Sequence, residues 1–126
     1  MTKSPVETDN APTPTGPFNQ AIRIGNLVFT AGQAGRNRET GQMGDIREQT
    51  EWALRNIEGI LGEAGSSMAE VLKATVYLKS GTDTGPLNEE WVKRFPEPLP
   101  ARSSVFVSHL KNSEMLIEVE VIAVIS

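Results

Sequence analysis

The sequence has no cysteine and one histidine, His109. Disulfide scaffolds, thiolate nucleophiles and cysteine-bound metals are therefore excluded. A Ser-His-Asp triad or a multi-histidine metal site would have to rest on His109 alone, and no acid stands at a suggestive spacing from it. Basic runs are also absent, and the formal net charge is −4. Nucleic-acid affinity comes from clustered Lys and Arg set against phosphates, so no nucleic-acid partner is expected. No apolar run approaches the ~18 residues of a spanning helix, so no membrane association is expected. Residues 1–15 lack the apolar stretch of a signal peptide, which makes the cytoplasm the expected compartment. The glycine-rich segment Gly32–Gly44 has neither a GK[ST] ending nor a G-x-G-x-x-G spacing behind a strand, so it does not match a nucleotide cradle. It reads instead as a loop with unusual backbone angles, whose N–H groups could face an anion.

What is present is a globular composition: 126 residues, 38% hydrophobic and 22% charged. That length makes one domain. A domain this small has an unfavourable surface-to-volume ratio, which oligomerisation relieves. Residues 1–10 read as a flexible tail, and the single domain is expected over 11–126. Prolines in Ala11–Pro17 favour an extended entry. Ala21–Ile24 and Leu27–Thr30 are β-prone runs separated by Gly25-Asn26, the pattern of a tight hairpin.

The clearest helix runs from Asp45 to Ala64. Asp45 and Glu48 form a capping-box pattern, and Gly65 is the expected stop. Ile46, Ala53, Ile57, Ile60, Leu61 and Ala64 share one face at helical spacing. Val71–Leu78 predicts a strand, and Leu87–Phe95 a second helix closed by Pro96, Pro98 and Pro100. Ser103–Val107 and Leu116–Ile125 predict the last two strands. The order β-β-α-β-α-β-β, with two helices on one face of a mixed sheet, defines an α+β fold.

The last strand places two acids where apolar residues are expected. Side chains alternate along a strand, so Ile117, Val119, Val121, Ala123 and Ile125 share one face, while Glu118 and Glu120 share the other. Two readings follow. Either that face is solvated, or one glutamate lines a cleft, where burial raises its pKa and suits it to act as a general base. Arg102 likewise is either a surface charge or a carboxylate anchor, since a guanidinium offers a fixed fork that matches a carboxylate. Trp52, Trp91 and Phe95 fall on helices and read as packing residues. Ser103 and Ser104 have no base placed to activate them.

Six segments in order resemble the Rid (YjgF) family of reactive-intermediate deaminases. They are Gly16-Pro17-Phe18-Asn19-Gln20-Ala21; Phe29-Thr30-Ala31-Gly32-Gln33; Gln49-Thr50 with Leu54, Asn56 and Ala64-Gly65; Val76-Tyr77-Leu78 with Asn88; Pro100-Ala101-Arg102-Ser103; and Ile117 to Ala123. The likeness spans about Ala11 to Val124.

The resemblance implies a chorismate-mutase-like α+β fold, a homotrimer with ligand sites between subunits, and no metal or cofactor. It implies hydrolysis of 2-imino acids such as 2-iminopropanoate and 2-iminobutanoate to 2-oxo acids and ammonia. In that scheme Arg102 grips the substrate carboxylate and Glu118 activates water. Gly32 offers its backbone, Phe18 is the aromatic wall, Asn88 lines the pocket, and Ser104 stands where many relatives carry cysteine.

Phe18 and Ala31 replace the tyrosine and serine usual in the deaminase branch. A hydrogen bond to a charged group is worth about 1.5–3 kcal/mol, so these losses imply a changed substrate range or slower turnover. Two other readings are a deaminase of another enamine, such as 2-aminomuconate, and a non-catalytic trimeric binder of small 2-oxo acids. The ribonuclease role also attached to the family fits poorly with an acidic chain and one histidine.

Overall fold

Gly25 turns the chain with φ 56°, a left-handed conformation open to glycine, and so joins β2 (Ala21–Ile24) to β3 (Leu27–Thr30) as an antiparallel hairpin. The computed structural model describes residues Met1–Ser126. Its other strands are β1 (Ser4–Val6), β4 (Gln33–Ala34), β5 (Val71–Lys79), β6 (Ala101–Val107) and β7 (Ile117–Val124). Its two α-helices are α1 (Ile46–Ala64) and α2 (Gly85–Arg94). The strands form one mixed sheet in the order β1-β2-β3-β7-β5-β6, with β4 pairing further along β7. Only β5 and β6 run parallel, because α2 supplies the crossover between them.

α1 begins where Asp45 accepts a hydrogen bond from the Glu48 amide and ends where Gly65 adopts φ 87°. Its apolar stripe, with Ala53, Leu54, Ile57, Ile60 and Leu61 fully buried, covers one face of the sheet. From the sheet come Val28, Ala74, Val76, Val119, Val121 and Ala123, all buried. The alternation read in β7 holds: its odd-numbered residues are buried and its even-numbered ones are half-exposed. α1 packs on the odd face with α2 beside it, so the even face of β7 is left without a helix.

Three polar side chains inside this core tie loops to elements. Gln49 donates to the carbonyls of Gly44 and Glu114 and accepts from the Leu116 amide, which fixes the approach to β7. Asn56 donates to the Arg36 carbonyl at 3.0 Å. Gln20 accepts from the Thr8 amide at 2.7 Å and donates to the Thr8 and Pro12 carbonyls, both at 3.0 Å. Every buried side-chain nitrogen and oxygen has a partner.

Several sequence expectations need correction. The segment 1–10 is not a free tail: Ser4–Val6 pairs with β2, Val6 is buried, and Gln20 holds the chain that follows. Gly59 of α1 has no side chain because Asn10 docks there; a Cβ would overlap the Asn10 carbonyl. The glycine-rich loop contains the short strand β4. α2 starts at Gly85, two residues before Leu87, with Pro86 in the first turn. β6 starts at Ala101, so Arg102 lies within a strand instead of preceding one.

Candidate functional site

A groove of about 590 Å³ opens beside the start of β7. The N-terminal segment with Phe18, the β3–β4 turn with Ala31 and Gly32, and the loop Lys111–Met115 form its walls, and Glu118 reaches in from β7. Gly32 leaves room for Glu118: a Cβ there would overlap the carboxylate in its present position and force it aside. The absent side chain lets the turn lie directly over the acid. The structure therefore gathers Phe18, Ala31, Gly32 and Glu118, four of the residues singled out in the sequence.

The two glutamates of β7 share a face but differ in surroundings. The Tyr77 hydroxyl donates to Glu120 Oε1 at 2.5 Å. This bond, with burial and the nearby acids behind it, raises the pKa of the Tyr77 hydroxyl. Glu118 has no ion-pair or hydrogen-bond partner of this kind. Burial pushes its pKa up and the charge of Glu120 adds to that, while Lys111 pulls it part of the way back. Glu118 is thus the acid in the groove, with the character of a base, and Glu120 is held by Tyr77.

Arg102 stands elsewhere. In the β5–β6 register it opposes Ala74, and Ala74 opposes Val121 on β7. Paired residues share a face, so Arg102 projects on the helical side, whereas Glu118 opposes Tyr77 and projects on the other. β6 and β7 are separated by β5, roughly 10 Å across the sheet. The guanidinium lies over the Trp91 ring, 4.8 Å from its centroid, and Nη2 donates to Asn88 Oδ1 at 2.8 Å. Burial lowers its pKa from the ordinary high value of a guanidinium.

Asn88 therefore orients Arg102 and lies outside the groove that holds Phe18. Trp91 packs on Phe95 and also carries the arginine, a role its position in an apolar stripe did not signal. Ser104 faces the same side as Arg102, two residues further along the exposed edge strand. A single chain thus holds two separate features: a carboxylate under a glycine turn, and an arginine on an aromatic platform. Sequence reasoning did not pick out Arg36, Met43, Lys111 and Met115, which also line the groove. Their loops have no periodicity that would have pointed to them.

No helix is long and apolar enough to cross a membrane, and no cluster of three or more His, Asp or Glu side chains is arranged to hold a metal.

A mixed sheet backed by two helices, with an acid and an arginine set apart on its faces, defines an α+β protein of the chorismate-mutase-like class. The family described as endoribonuclease L-PSP matches residues 8–125. A RutC family protein of Pyrococcus abyssi is 47% identical over 125 residues, 98% of each chain. A 2-iminobutanoate/2-iminopropanoate deaminase of Dermatophagoides farinae is 36% identical over 123 residues, 95% of this chain and 94% of that one. The crystal structure of RidA from the Antarctic bacterium Psychrobacter sp. PAMC 21119 superposes with a TM-score of 0.91 at 36% identity, covering 97% of this chain and 99% of that one. The chain belongs to the Rid/YjgF family, and at family level its relatives support a deaminase-like role.

Proposed function

We propose that this protein hydrolyses 2-imino acids to 2-oxo acids and ammonia, without a metal, at sites completed between subunits of a homotrimer. The observation that carries the reading is Glu118: a half-buried carboxylate with no ion-pair partner, facing a groove beneath a glycine turn. Burial without a partner destabilises the charged form, so the residue is poised to take a proton.

The chemistry asks little of the protein. The substrate carboxylate binds the Arg102 guanidinium, which Asn88 and Trp91 hold in a fixed orientation. Glu118 accepts a proton from water as its oxygen adds to C2 of the protonated imine. Glu118 returns that proton to the carbinolamine nitrogen and then takes the hydroxyl proton as the C2–N bond breaks, so ammonia leaves and the C2–O bond becomes a carbonyl. Fixing carboxylate and water together converts an encounter into a near-attack geometry. Arg102 and Glu118 of one chain face opposite ways, so a second copy supplies the arginine to each groove.

A binding role without catalysis is favoured by one feature. Phe18 and Ala31 stand on the groove wall and bring no hydroxyl to it, where the family resemblance implies a tyrosine and a serine.

One assay separates the readings. An amino-acid oxidase generates 2-iminobutanoate in situ, and semicarbazide reports the imine that remains. Accelerated hydrolysis by the wild type but not by Arg102→Ala supports the deaminase. No acceleration, with 2-oxobutanoate binding that depends on Arg102, supports the binder.

A further inference from the structure

Charge is distributed unevenly between two neighbouring grooves. The groove beside Phe18 and Gln20 that runs toward the N-terminus is lined by Glu7, Asp9 and Glu63 and by no cation. The groove that holds Glu118 is lined by Arg36 and Lys111, and Glu118 is its only acid. The chain as a whole is acidic, at −4, so this local excess of cations runs against its composition.

Neither cation is used up inside the molecule. The protein's ion pairs involve Arg47, Arg55, Lys93 and Arg94, and neither Arg36 nor Lys111. Lys111 Nζ donates to the Thr15 hydroxyl at 2.7 Å, and Arg36 Nη1 to the Gly41 carbonyl at 2.6 Å. Both bonds hold a charged head at the groove wall with neutral partners, and leave further N–H donors free. The Lys111 charge is felt at Glu118, so the ammonium lies within electrostatic reach of the reacting region. In the same groove, Phe18, Ala31, Met43 and Met115 offer an apolar lining that suits methylene groups.

We infer that this groove selects substrates with a second, distal carboxylate, the 2-imino acids 2-iminosuccinate and 2-iminoglutarate that correspond to acidic amino acids, and that Lys111 with Arg36 is the selecting pair. The inference rests on the proposed reading that Arg102 takes the first carboxylate. One cation binds the α-carboxylate and a separate pair binds the distal one, with the methylenes between them on the apolar wall. A monocarboxylic imine leaves the pair unmatched. The acidic neighbouring groove repels a dianion and so directs it to the right opening.

The test compares imines made in situ from glutamate, aspartate and 2-aminobutanoate by matching oxidases, using full-length protein. The expected wild-type kcat/KM is at least tenfold higher for 2-iminoglutarate or 2-iminosuccinate than for 2-iminobutanoate. Lys111→Gln brings that ratio below threefold, mainly through KM, and Lys111→Arg restores most of it. Lys111 is exposed, so circular dichroism should show an unchanged fold. Equal kcat/KM in the wild type, or a ratio that Lys111→Gln leaves unmoved, overturns the inference.

If no imine is hydrolysed, the deaminase reading fails and calorimetry decides the inference separately. Tenfold tighter binding of 2-oxoglutarate than of 2-oxobutanoate, lost in Lys111→Gln and weakened by salt, supports it. Equal affinities, or no binding of either, overturn it.

Discussion

Arg102 and Glu118 project from opposite faces of one sheet, with β5 between their strands. Each is supported by its own surroundings, Arg102 by Trp91 and Asn88, and Glu118 by Gly32. Sites shared between subunits have a genetic signature. Arg102→Ala and Glu118→Gln are each expected to lose activity by at least about 100-fold. When the two inactive proteins are mixed and allowed to exchange subunits, about a quarter of the sites in a cyclic trimer regain both residues. Recovery of roughly that share of wild-type activity is expected; a site built within one chain would recover none.

The edge strand β6 bears on assembly. Phe106 is 57% exposed and Val105 45% on a strand with one side unpaired. Sedimentation is expected to show a trimer. Phe106→Asp is expected to shift it toward monomer and, if the sites are shared as proposed, to remove activity in parallel.

The raised pKa of Glu118 sets the pH behaviour. Its base form is needed, so kcat/KM is expected to fall as pH drops through a value above the ordinary 4.5. The stability effect has the opposite sense. A carboxyl whose folded pKa is raised favours the fold when protonated, and this contribution is lost as pH rises through the folded value. Glu118→Gln should therefore raise the melting temperature at pH 8 and leave it nearly unchanged at pH 4.

Gly35 lies against the backbone of Gln49, where a Cβ would overlap main-chain atoms that cannot swing aside. Gly35→Ala is expected to lose about 1–3 kcal/mol of stability by overpacking, measured by urea denaturation. Gly62→Ala, with no atoms near the added Cβ, is the control that should lose nothing.

Gln20 binds the chain from Thr8 to Pro12 through its side-chain amide. Gln20→Leu leaves those backbone groups unpaired and is expected to cost about 1–3 kcal/mol. Amide exchange of Thr8 should rise more than that of α1. A change confined to global unfolding would show that the segment is held by β1 alone.

The local elements were legible in the residues. Asp45, Glu48 and Gly65 bound α1, Gly25 turns the hairpin, and strict alternation in β7 sorts its buried from its open face. Caps, turns and periodicity act over a few residues, and a sequence records them directly. Six short segments in order, those of Arg102 and Glu118 among them, pointed to the family for the same reason: each is contiguous. What the chain order did not display are relationships between distant segments. The strand at Ser4–Val6 exists because β2 offers it an edge and Gln20 reaches back to hold the chain that follows. The roles of Glu118 and Glu120 part because Tyr77, 43 residues before Glu120, takes one of them. Lys111 and Arg36 meet at one groove because β4 and the approach to β7 lie side by side on the sheet. Burial, register and face are properties of packing, and only the folded chain decides them.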